Sequence, residues 1–490
     1  MTEQNIRIKP IEIGILFAIS FSFVLFFCIA SSPITDRNTN DSAIFISMGK
    51  MFVEGKIPYV DFFDHKGPSL ILLEAIPQFF VKDRLAIFFL EVFNLFIVLL
   101  LITKISNLLK FNTIKKITLW SLFLLLISRL LTNGNTGEEL SLIPLFIALY
   151  YLCRYYFIEK KIVNSHIFIL GVCFSFLFWL RANNGGFIVG ICIYMFIDTI
   201  INKDYKSMKN LILYFILGQL PFSILYLTYF LYHNALYELI YATFLFNINY
   251  VHAIISPSMH SLWINLLIFV LLLVSSILFY LKTKKDYKIF ILCTVIYLTC
   301  ALVVNMGYSF QYYYLLYAPA FMFGSILLIK SYESDSTLKI IFITSSILLI
   351  AFGTRKSYYM AKEGKIYKDT VKKETVDFLK LFEKIPSNER DKIFYYDQFP
   401  TIFYLEEVTS NYKYCFIQEW HGRHNNKIFD EINETMRNNT PHYVFINQFS
   451  GDTINEKNYH NQDFFLFLKD NYHVFADDKN RVIMKLNSLE

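Results

Sequence analysis

The residues that could carry chemistry lie in a polar stretch, residues 32–68, that follows the first apolar segment of the chain. Asp41 comes just before an amphipathic pattern. It would therefore sit in the first turn of a helix, where free N–H groups and the helix dipole favour a carboxylate. Taken alone, Asp41 could equally be an ordinary helix cap. The end of the stretch then crowds eleven positions with Pro58, Tyr59, Asp61, Asp64, His65, Lys66, Gly67 and Pro68.

Further costly polar residues fall inside or at the ends of apolar segments. They are Glu91, Asn94, Arg129, Glu138, Glu139 and Arg181. Each one alone could be a cap, an interfacial anchor or half of a structural ion pair, but ionisable groups in apolar segments indicate a functional site by default. All of these fall toward the same side of the predicted membrane as residues 32–68. The pattern therefore predicts a polar cleft that opens outward and can hold an anionic headgroup.

The elements that must position this cleft are helical. An apolar stripe over Ile44, Phe45, Met48, Met51 and Phe52 predicts a helix that lies along the membrane surface, with Gly55 just past its end. The next apolar stretch, 69–81, is too short to span a bilayer and carries Glu74 and Pro77. It predicts a re-entrant or interfacial helix.

The composition is that of a membrane protein. Of the 490 residues, 55% are hydrophobic and 18% are charged, against about 25% charged in soluble domains. Because a globular fold cannot bury this much apolar surface and a bilayer can, a soluble enzyme, a disordered chain and a collagen-like fibre are excluded. Continuous apolar runs argue against a β-barrel. The net charge of +6 is spread in small clusters between the runs, which indicates membrane topology and no nucleic-acid partner.

About eleven apolar segments are long enough to cross a hydrocarbon core. They are 11–31, 85–106, 117–132, 139–158, 166–181, 185–201, 211–232, 261–281, 288–304, 312–330 and 338–354. Lys and Arg gather in alternate turns, while the short turns of the opposite set hold only Arg181. The positive-inside rule then predicts a cytoplasmic N-terminus and an extracytoplasmic C-terminal region.

These patterns divide the chain into a transmembrane domain, 1–354, whose first outer loop with its juxtamembrane helices is 32–84, and a C-terminal domain, 355–490. The second part is more charged, and its short apolar runs alternate with amphipathic helices. Candidate strands are 392–397, 412–417, 442–447 and 481–486, and candidate helices are 365–384, 424–438 and 461–471. This alternation predicts a small α/β domain with a largely parallel sheet. The seven cysteines form no CxxC pair and indicate neither a zinc ribbon nor a disulfide scaffold.

With these residues in place, the chain resembles the bacterial membrane glycosyltransferases of the GT-C fold, in the branch of protein O-mannosyltransferases and the aminoarabinose transferase of lipid A. The resemblance rests on Asp41, on Gly55-x-x-Pro58-Tyr59-x-Asp61 and on Lys66-Gly67-Pro68. It also rests on Asn135-Thr136-Gly137-Glu138 and on Gln311-Tyr312-Tyr313 with Pro319. The resemblance implies a polytopic helical fold, and single-displacement transfer with inversion from a polyprenyl-phosphate-linked sugar to a cell-envelope acceptor: a glycan, a lipid or a protein.

The resemblance also implies roles for single residues. Asp41 is expected to act as the base or as a carboxylate near a metal, and Lys66, Arg181 and His65 are expected to contact the phosphate. The remaining expected substrate contacts are Asp61, Tyr59, Glu138 and Tyr312. A divalent metal ion held by Asp41 and Glu138 is left open, because Asp41 is flanked by Asn40 and Ser42 where mannosyltransferases of this branch usually show adjacent Asp-Glu. No nucleotide cofactor is expected.

Two other functions compete with glycosyl transfer. A flippase or transporter of lipid-linked sugars would also use an outward cleft, but it favours broken helices near the midplane and repeated halves. A polysaccharide polymerase or ligase would be expected to carry basic residues on a large late outer loop, and 233–260 has three His but no Lys or Arg. The expected location is the bacterial plasma membrane, with lipid as an additional partner.

Overall fold

A computed structural model of the chain describes residues 8–489, except for 35–39, 82, 132, 249–258, 284–285, 307–309, 333–334, 397–410, 416–418, 448–459 and 478–480. The α-helices are Pro10–Phe27, Asn40–Val53, Pro68–Gln78, Asp83–Leu108, Thr113–Leu130, Gly137–Leu140, Leu142–Arg154, Asn164–Leu180, Gly186–Ile201, Tyr205–Tyr232, Leu236–Ile240, Met259–Lys282, Lys288–Val304, Ala318–Ser331, Asp335–Phe382, Glu419–His424, Asn426–Asn438 and Gln462–Asn471. Shorter 3₁₀ or π segments are Tyr155–Glu159, Ala182–Gly185, Tyr241–Leu245, Gln311–Tyr317, Ser387–Lys392 and Asn487–Leu489.

Each of the eleven apolar segments predicted from the sequence contains a helix. Among the described residues, eight helical stretches are long and apolar enough to cross a membrane. The other three predicted spans correspond to Thr113–Leu130, which carries Lys115, Lys116 and Arg129, and to two helices of 17 residues, Asn164–Leu180 and Lys288–Val304. A helix of that length rises about 26 Å, slightly less than a ~30 Å hydrocarbon core. The chain is a multi-pass membrane protein.

The first outer loop folds as two helices joined by a tight connection. Helix Asn40–Val53 ends before Gly55, whose φ of +89° is the left-handed conformation that favours glycine. The second helix begins at Pro68, in its first turn, where a backbone N–H has no partner within the helix and its absence costs nothing. The predicted helices are therefore present. The apolar stripe of the first one, however, is buried in protein, because Phe45 and Met48 belong to a core shared with Pro68–Gln78.

The protein has two hydrophobic cores. The first lies within the helical bundle and is formed by the apolar faces of its spans. The second joins residues 40–73 to the adjoining ends of neighbouring helices and to the C-terminal sheet. The backbone N–H of Phe63 donates to the carbonyl of Lys413 at 2.9 Å, and the Phe63 and Tyr414 rings lie 5.3 Å apart. The C-terminal region is therefore packed directly on the loop that carries the candidate residues.

The C-terminal region contains a four-stranded sheet in the order β1 (Ile393–Tyr396), β2 (Tyr443–Asn447), β4 (Arg481–Leu486) and β3 (Tyr472–Asp477). The prediction of a largely parallel sheet is wrong: β1 and β2 are parallel, but β2–β4 and β3–β4 are antiparallel. Strand β3 was not predicted. The described part of candidate strand 412–417 is a turn, and its residues 416–417 lie outside the described residues. The three predicted helices are present.

The predicted boundary between the two domains falls inside a single helix. Asp335–Phe382 is 48 residues long and passes through residues 354 and 355 without a break. At 1.5 Å per residue it rises about 72 Å, more than twice the thickness of a hydrocarbon core. The division at residue 354 stays a prediction.

A half-buried ion cluster gives the C-terminal region a measurable dependence on pH. Glu431 accepts hydrogen bonds from Lys413 at 2.8 Å and from the Tyr414 hydroxyl at 2.5 Å, and it lies 3.3 Å from Lys427. Burial alone would raise the pKa of Glu431, but these three partners outweigh it and hold the pKa below its usual value. A carboxyl with a lowered pKa stabilises the fold above its unfolded-state pKa of about 4.5 and ceases to do so as the pH falls through its folded-state value.

We therefore expect Glu431→Gln to lower the free energy of unfolding of the C-terminal region by about 1–3 kcal/mol at pH 7. Below about pH 4 the difference between the variant and the wild type should narrow, because the wild-type carboxyl is then protonated. Thermal unfolding followed between pH 3 and pH 8 measures both effects. The exposed Glu434, one turn away on the same helix, supplies the control variant Glu434→Gln. An equal gap between wild type and Glu431→Gln at every pH would contradict the assignment.

Candidate functional site

Asp41 lies in the first turn of helix Asn40–Val53 and is half-buried. The hydroxyl of Tyr312 donates to its carboxylate at 3.4 Å, which joins two residues 271 positions apart in the chain. Tyr312 is placed by the 3₁₀ segment Gln311–Tyr317, which leads into helix Ala318–Ser331. Its hydroxyl is also close enough to Glu138 and Arg181 to interact with them electrostatically. Asp41 therefore lies at the edge of a larger polar group.

Arg181 is the centre of that group. It follows helix Asn164–Leu180 directly. One terminal N–H group of its guanidinium donates a hydrogen bond to the carboxylate of Glu138, whose side chain is 2% exposed. The other terminal nitrogen donates to the Tyr313 hydroxyl at 2.7 Å. Because the guanidinium has five N–H donors, donors remain for a further oxygen ligand. The group thus offers a cation beside a carboxylate, the pairing that binds a phosphate and accepts a proton next to it.

Lys66 is held near Arg181 by a backbone hydrogen bond of the next residue, Gly67. The N–H of Gly67 donates to the carbonyl of Leu180 at 3.0 Å, so Lys66 and Arg181 occupy neighbouring backbone positions. The Lys66 ammonium is 3.4 Å from Asp64 and 5.2 Å from the centre of the Phe45 ring, and it remains partly exposed. Asp64 orients the lysine and leaves ammonium donors available. Two cations therefore lie on one side of the site.

His65 is a different kind of group, because it is neutral around pH 7. Burial holds the pKa of His65 well below its usual range, and the charges of Lys66, His421 and Arg181 lower it further. Its ring packs 5.5 Å from Phe246 and 6.0 Å from the ring of His421 in the C-terminal region. A neutral imidazole adds no positive charge, so the electrostatic attraction for an anion comes from Lys66 and Arg181.

Asp61 and Tyr59 shape the loop. The Asp61 carboxylate accepts from the N–H of Ile57 at 2.6 Å, and the buried Tyr59 donates its hydroxyl to the carbonyl of Lys66 at 2.7 Å. Tyr59 has a φ of +67°, a conformation that a bulky residue adopts only when its surroundings hold it there. These contacts position Lys66; direct contact of either side chain with a substrate stays a prediction.

An apolar groove borders the same loop at Pro58 and Pro68. It lies between residues 52–72 and helix Tyr205–Tyr232, and the space free of protein atoms there is about 420 Å³, including solvent at its open side. Its lining residues are Phe52, Pro58, Pro68, Ile71, Leu72, Leu225, Tyr226, Tyr229 and Phe230. Pro68 is two residues from Lys66, so a charged end and an apolar end of one ligand could be bound side by side.

The metal ion left open by the sequence does not fit well at Asp41 and Glu138. The Arg181 guanidinium already neutralises Glu138, and a metal ion placed against that carboxylate would lie beside a fixed positive charge. Tyr312 donates to the second carboxylate, Asp41.

Two contributors were not singled out from the sequence. Tyr313 was part of a noted motif but was given no role, and it binds Arg181 through its hydroxyl. Tyr312 and Tyr313 are adjacent, and the sequence alone does not show which of the two hydroxyls faces Arg181. His421 lies beside His65, and no sequence signal pointed to it because the contact joins residues 356 positions apart.

Gly67 tests whether the docking of the loop matters. A Cβ atom at this position would lie 1.9 Å from the carbonyl oxygen of Trp179, so Gly67→Ala must push the loop away from Leu180. We expect the displacement of Lys66 to lower activity about 100-fold, since misplacement by 1 Å is enough for such a loss. Gly14→Ala is the matched control, because a Cβ there meets no atom within 4 Å. Full activity of Gly67→Ala would show that the docking is dispensable.

Comparison of the whole chain with known proteins finds similarity in structure and none in sequence. No protein-family model and no curated protein sequence matches the chain. Among solved structures, the chain is similar to a crystal structure of ArnT from Cupriavidus metallidurans bound to undecaprenyl phosphate, with a TM-score of 0.59. The superposition covers 97% of this chain and 98% of ArnT, at 9% sequence identity. The likeness therefore concerns the fold, and it confirms the GT-C-like architecture predicted from the sequence.

Proposed function

We propose that this GT-C-like membrane chain is a glycosyltransferase that moves a sugar from a polyprenyl-phosphate-linked donor to an acceptor hydroxyl on the outer face of the membrane. The observation that carries the proposal is the convergence of Asp41, Arg181 and Lys66 beside an apolar groove. Such a donor has an anionic phosphate, a sugar and a long apolar chain. The similar ArnT structure, which has undecaprenyl phosphate bound, supports a lipid of this class.

The groove and the cations would hold the two ends of the donor. The apolar lining from Phe52 to Phe230 would take the first isoprene units, whose transfer from water is favourable by ~25 cal/mol for each Å² buried. The guanidinium of Arg181 and the ammonium of Lys66 would donate charge-assisted hydrogen bonds to the phosphate oxygens. The bond to be broken, between the sugar and the phosphate, would then lie at the polar end of the groove.

Transfer would follow a single displacement with inversion. Asp41 would take the proton of the acceptor hydroxyl as that oxygen attacks the anomeric carbon. The bond between the anomeric carbon and the phosphate oxygen breaks, and its electron pair goes to the phosphate. Arg181 and Lys66 would stabilise the charge that develops there, and polyprenyl phosphate leaves. The Tyr312 hydroxyl, already bonded to Asp41, would orient the carboxylate toward the acceptor.

The expected topology agrees with this reaction. An N-terminus in the cytoplasm would place residues 32–68 and the C-terminal region outside, where lipid-linked donors are consumed. The C-terminal region covers the loop, as the contact between Phe63 and Lys413 illustrates, and could restrict which acceptor reaches Asp41. The bacterial plasma membrane is the proposed location. Labelling of single cysteines introduced at exposed positions such as Glu54 tests the orientation from both sides of the membrane.

The function is tested with the donor that the cell makes. A strain lacking the protein should accumulate one lipid-linked sugar, which can be extracted, radiolabelled and given to the purified protein in liposomes with cell-envelope acceptors. We expect the label to appear in an acceptor and polyprenyl phosphate to be released in equal amount. Movement of the intact donor between leaflets without release of polyprenyl phosphate would instead favour a flippase and contradict the proposal.

A further inference from the structure

A group of buried acidic residues lies behind the candidate site and has no part in the proposed reaction. Glu74, Glu91 and Glu139 come from three helices and are between 0% and 3% exposed. Their carboxyl groups interact electrostatically with one another. Since like charges removed from water repel strongly, such a group persists only with bound protons or a bound cation.

Three donor atoms of this region converge. The thiol sulfur of Cys28 and one carboxylate oxygen each of Glu91 and Glu139 lie within 4.8 Å of one another, and all three residues are buried. Ligands on a tetrahedral zinc ion, with bonds of about 2.3 Å to sulfur and 2.1 Å to oxygen, are themselves about 3.6 Å apart. Small side-chain rotations would bring the three donors onto one ion. Among the described residues this is the one group of three or more His, Cys, Asp or Glu with such spacing.

Neighbouring groups hold the donors in place. Glu91 accepts from the Ser31 hydroxyl through one oxygen and from the N–H of Asn135 through the other. Its carboxyl group also lies within hydrogen-bonding reach of the Glu139 carboxyl. Gly134 packs against both ligands: a Cβ there would be 2.4 Å from Glu91 Oε1 and 2.9 Å from the Cβ of Cys28. Metal sites are commonly oriented by such surrounding hydrogen bonds.

Glu74 supplies the independent sign of a missing ligand. Both of its carboxylate oxygens are buried without a hydrogen-bond partner, although native folds pair nearly all buried polar atoms. A cation beside the neighbouring carboxyls would satisfy these oxygens.

We propose that Cys28, Glu91 and Glu139 bind one divalent transition-metal ion of the zinc type, next to the buried carboxylate of Glu74. The ion would tie the outer ends of helices Pro10–Phe27 and Asp83–Leu108 to the start of the fourth apolar segment. The Asn135 amide, which follows this site, donates to Ser42 Oγ at 3.0 Å, next to Asp41. The metal would thus support the loop that carries Asp41 and would not touch the substrate. Binding would displace protons from the thiol and the carboxyls.

The test measures metal content and does not depend on any activity. The full chain is purified with an affinity tag that contains no histidine and analysed by elemental mass spectrometry, before and after incubation with Zn²⁺ and removal of the excess. We expect about one zinc ion per chain in the wild type. Cys28→Ser and Glu91→Gln should each lower the retained metal at least about tenfold. Cys153→Ser, which alters an equally buried cysteine near the opposite end of the bundle, should retain it.

Cobalt gives a second readout that reports the thiolate itself. Wild-type protein loaded with Co²⁺ should show a sulfur-to-cobalt charge-transfer band in the near ultraviolet, and the band should persist in Cys153→Ser. Glu74→Gln should weaken metal retention without removing the band. Because the spectrum of the wild type is informative by itself, a Cys28→Ser variant that fails to fold would leave the proposal decidable.

Two results would overturn the proposal. In the first, well-folded wild-type protein retains no zinc and binds no Co²⁺, so that the carboxyl groups hold protons instead. In the second, metal is bound but Cys28→Ser and Glu91→Gln retain as much as Cys153→Ser, so that the ion lies elsewhere. Neither result bears on the proposed transfer reaction, which is judged by the release of polyprenyl phosphate.

Discussion

Asp41→Asn is expected to lower the rate of glycosyl transfer by about 10²–10⁴-fold, the usual contribution of a positioned general base. The amide has the same shape as the carboxylate and can still accept the hydrogen bond from Tyr312, so the fold should be preserved. It cannot take a proton from the acceptor hydroxyl. Single-turnover assays with saturating donor isolate this step from donor binding.

Glu54→Gln is the matched control for Asp41→Asn, because Glu54 is an exposed carboxylate just past the other end of the same helix. It should leave the rate unchanged. Binding of the lipid donor to Asp41→Asn should stay within about threefold of the wild type, since the cations that hold the phosphate are intact. A variant that folds, binds donor and transfers sugar at nearly the wild-type rate would remove Asp41 as the base.

Arg181→Met should weaken donor binding by about 10–100-fold, the loss expected when charge-assisted hydrogen bonds to a phosphate are removed. The same change leaves the buried Glu138 without its partner, which destabilises a fold by about 3–5 kcal/mol. A single substitution therefore mixes two effects. Arg181→Met combined with Glu138→Gln removes the stranded charge and should recover much of the stability, but not the affinity for donor.

Arg154→Met is the control for this pair, because Arg154 is also ion-paired, with Glu159, at the other end of the fourth apolar segment. Arg154→Met also breaks an ion pair and should lower stability, but it should leave the affinity for undecaprenyl phosphate unchanged. Affinity is measured by titration of the lipid into protein in detergent, and stability by thermal unfolding of the same samples. If the double variant regained affinity along with stability, Arg181 would be a structural residue and not a phosphate ligand.

Much of the fold follows from the sequence because hydrophobic periodicity and length dominate in a membrane. The eleven apolar segments and the two loop helices were all predicted as helices. The strands of the sheet were harder to predict from the sequence. Only three residues separate Asp477 from Arg481, so β3 and β4 have to be antiparallel, but β3 mixes polar and apolar residues and was not recognised. Tyr412 and Tyr414 favour a strand by propensity, yet they are buried in a turn that packs on the first outer loop.

The candidate site was predictable in its members and not in its contacts. The position of Arg181 and Glu138 at the outer ends of two segments placed them at one depth, but only the packing of those helices pairs them. Likewise, Glu91 and Glu139 were recognised as costly residues, whereas their convergence with Cys28 depends on the register of three helices. Sequence patterns fix the height of a residue in a bundle more readily than the direction in which it faces.

The hydrogen bond between Phe63 and Lys413 has a consequence for how the protein is made. These residues are 350 positions apart, and ribosomes add roughly 5–20 residues per second, so the loop waits about 20–70 s for its partner to be synthesised. The Phe63 ring can pack on Tyr241 and Phe246 earlier, but throughout that interval the loop lacks its contacts with Lys413 and Tyr414. A nascent protein would accordingly complete this contact only after residue 413 has been translated and brought to the loop, and chains terminated earlier would lack it.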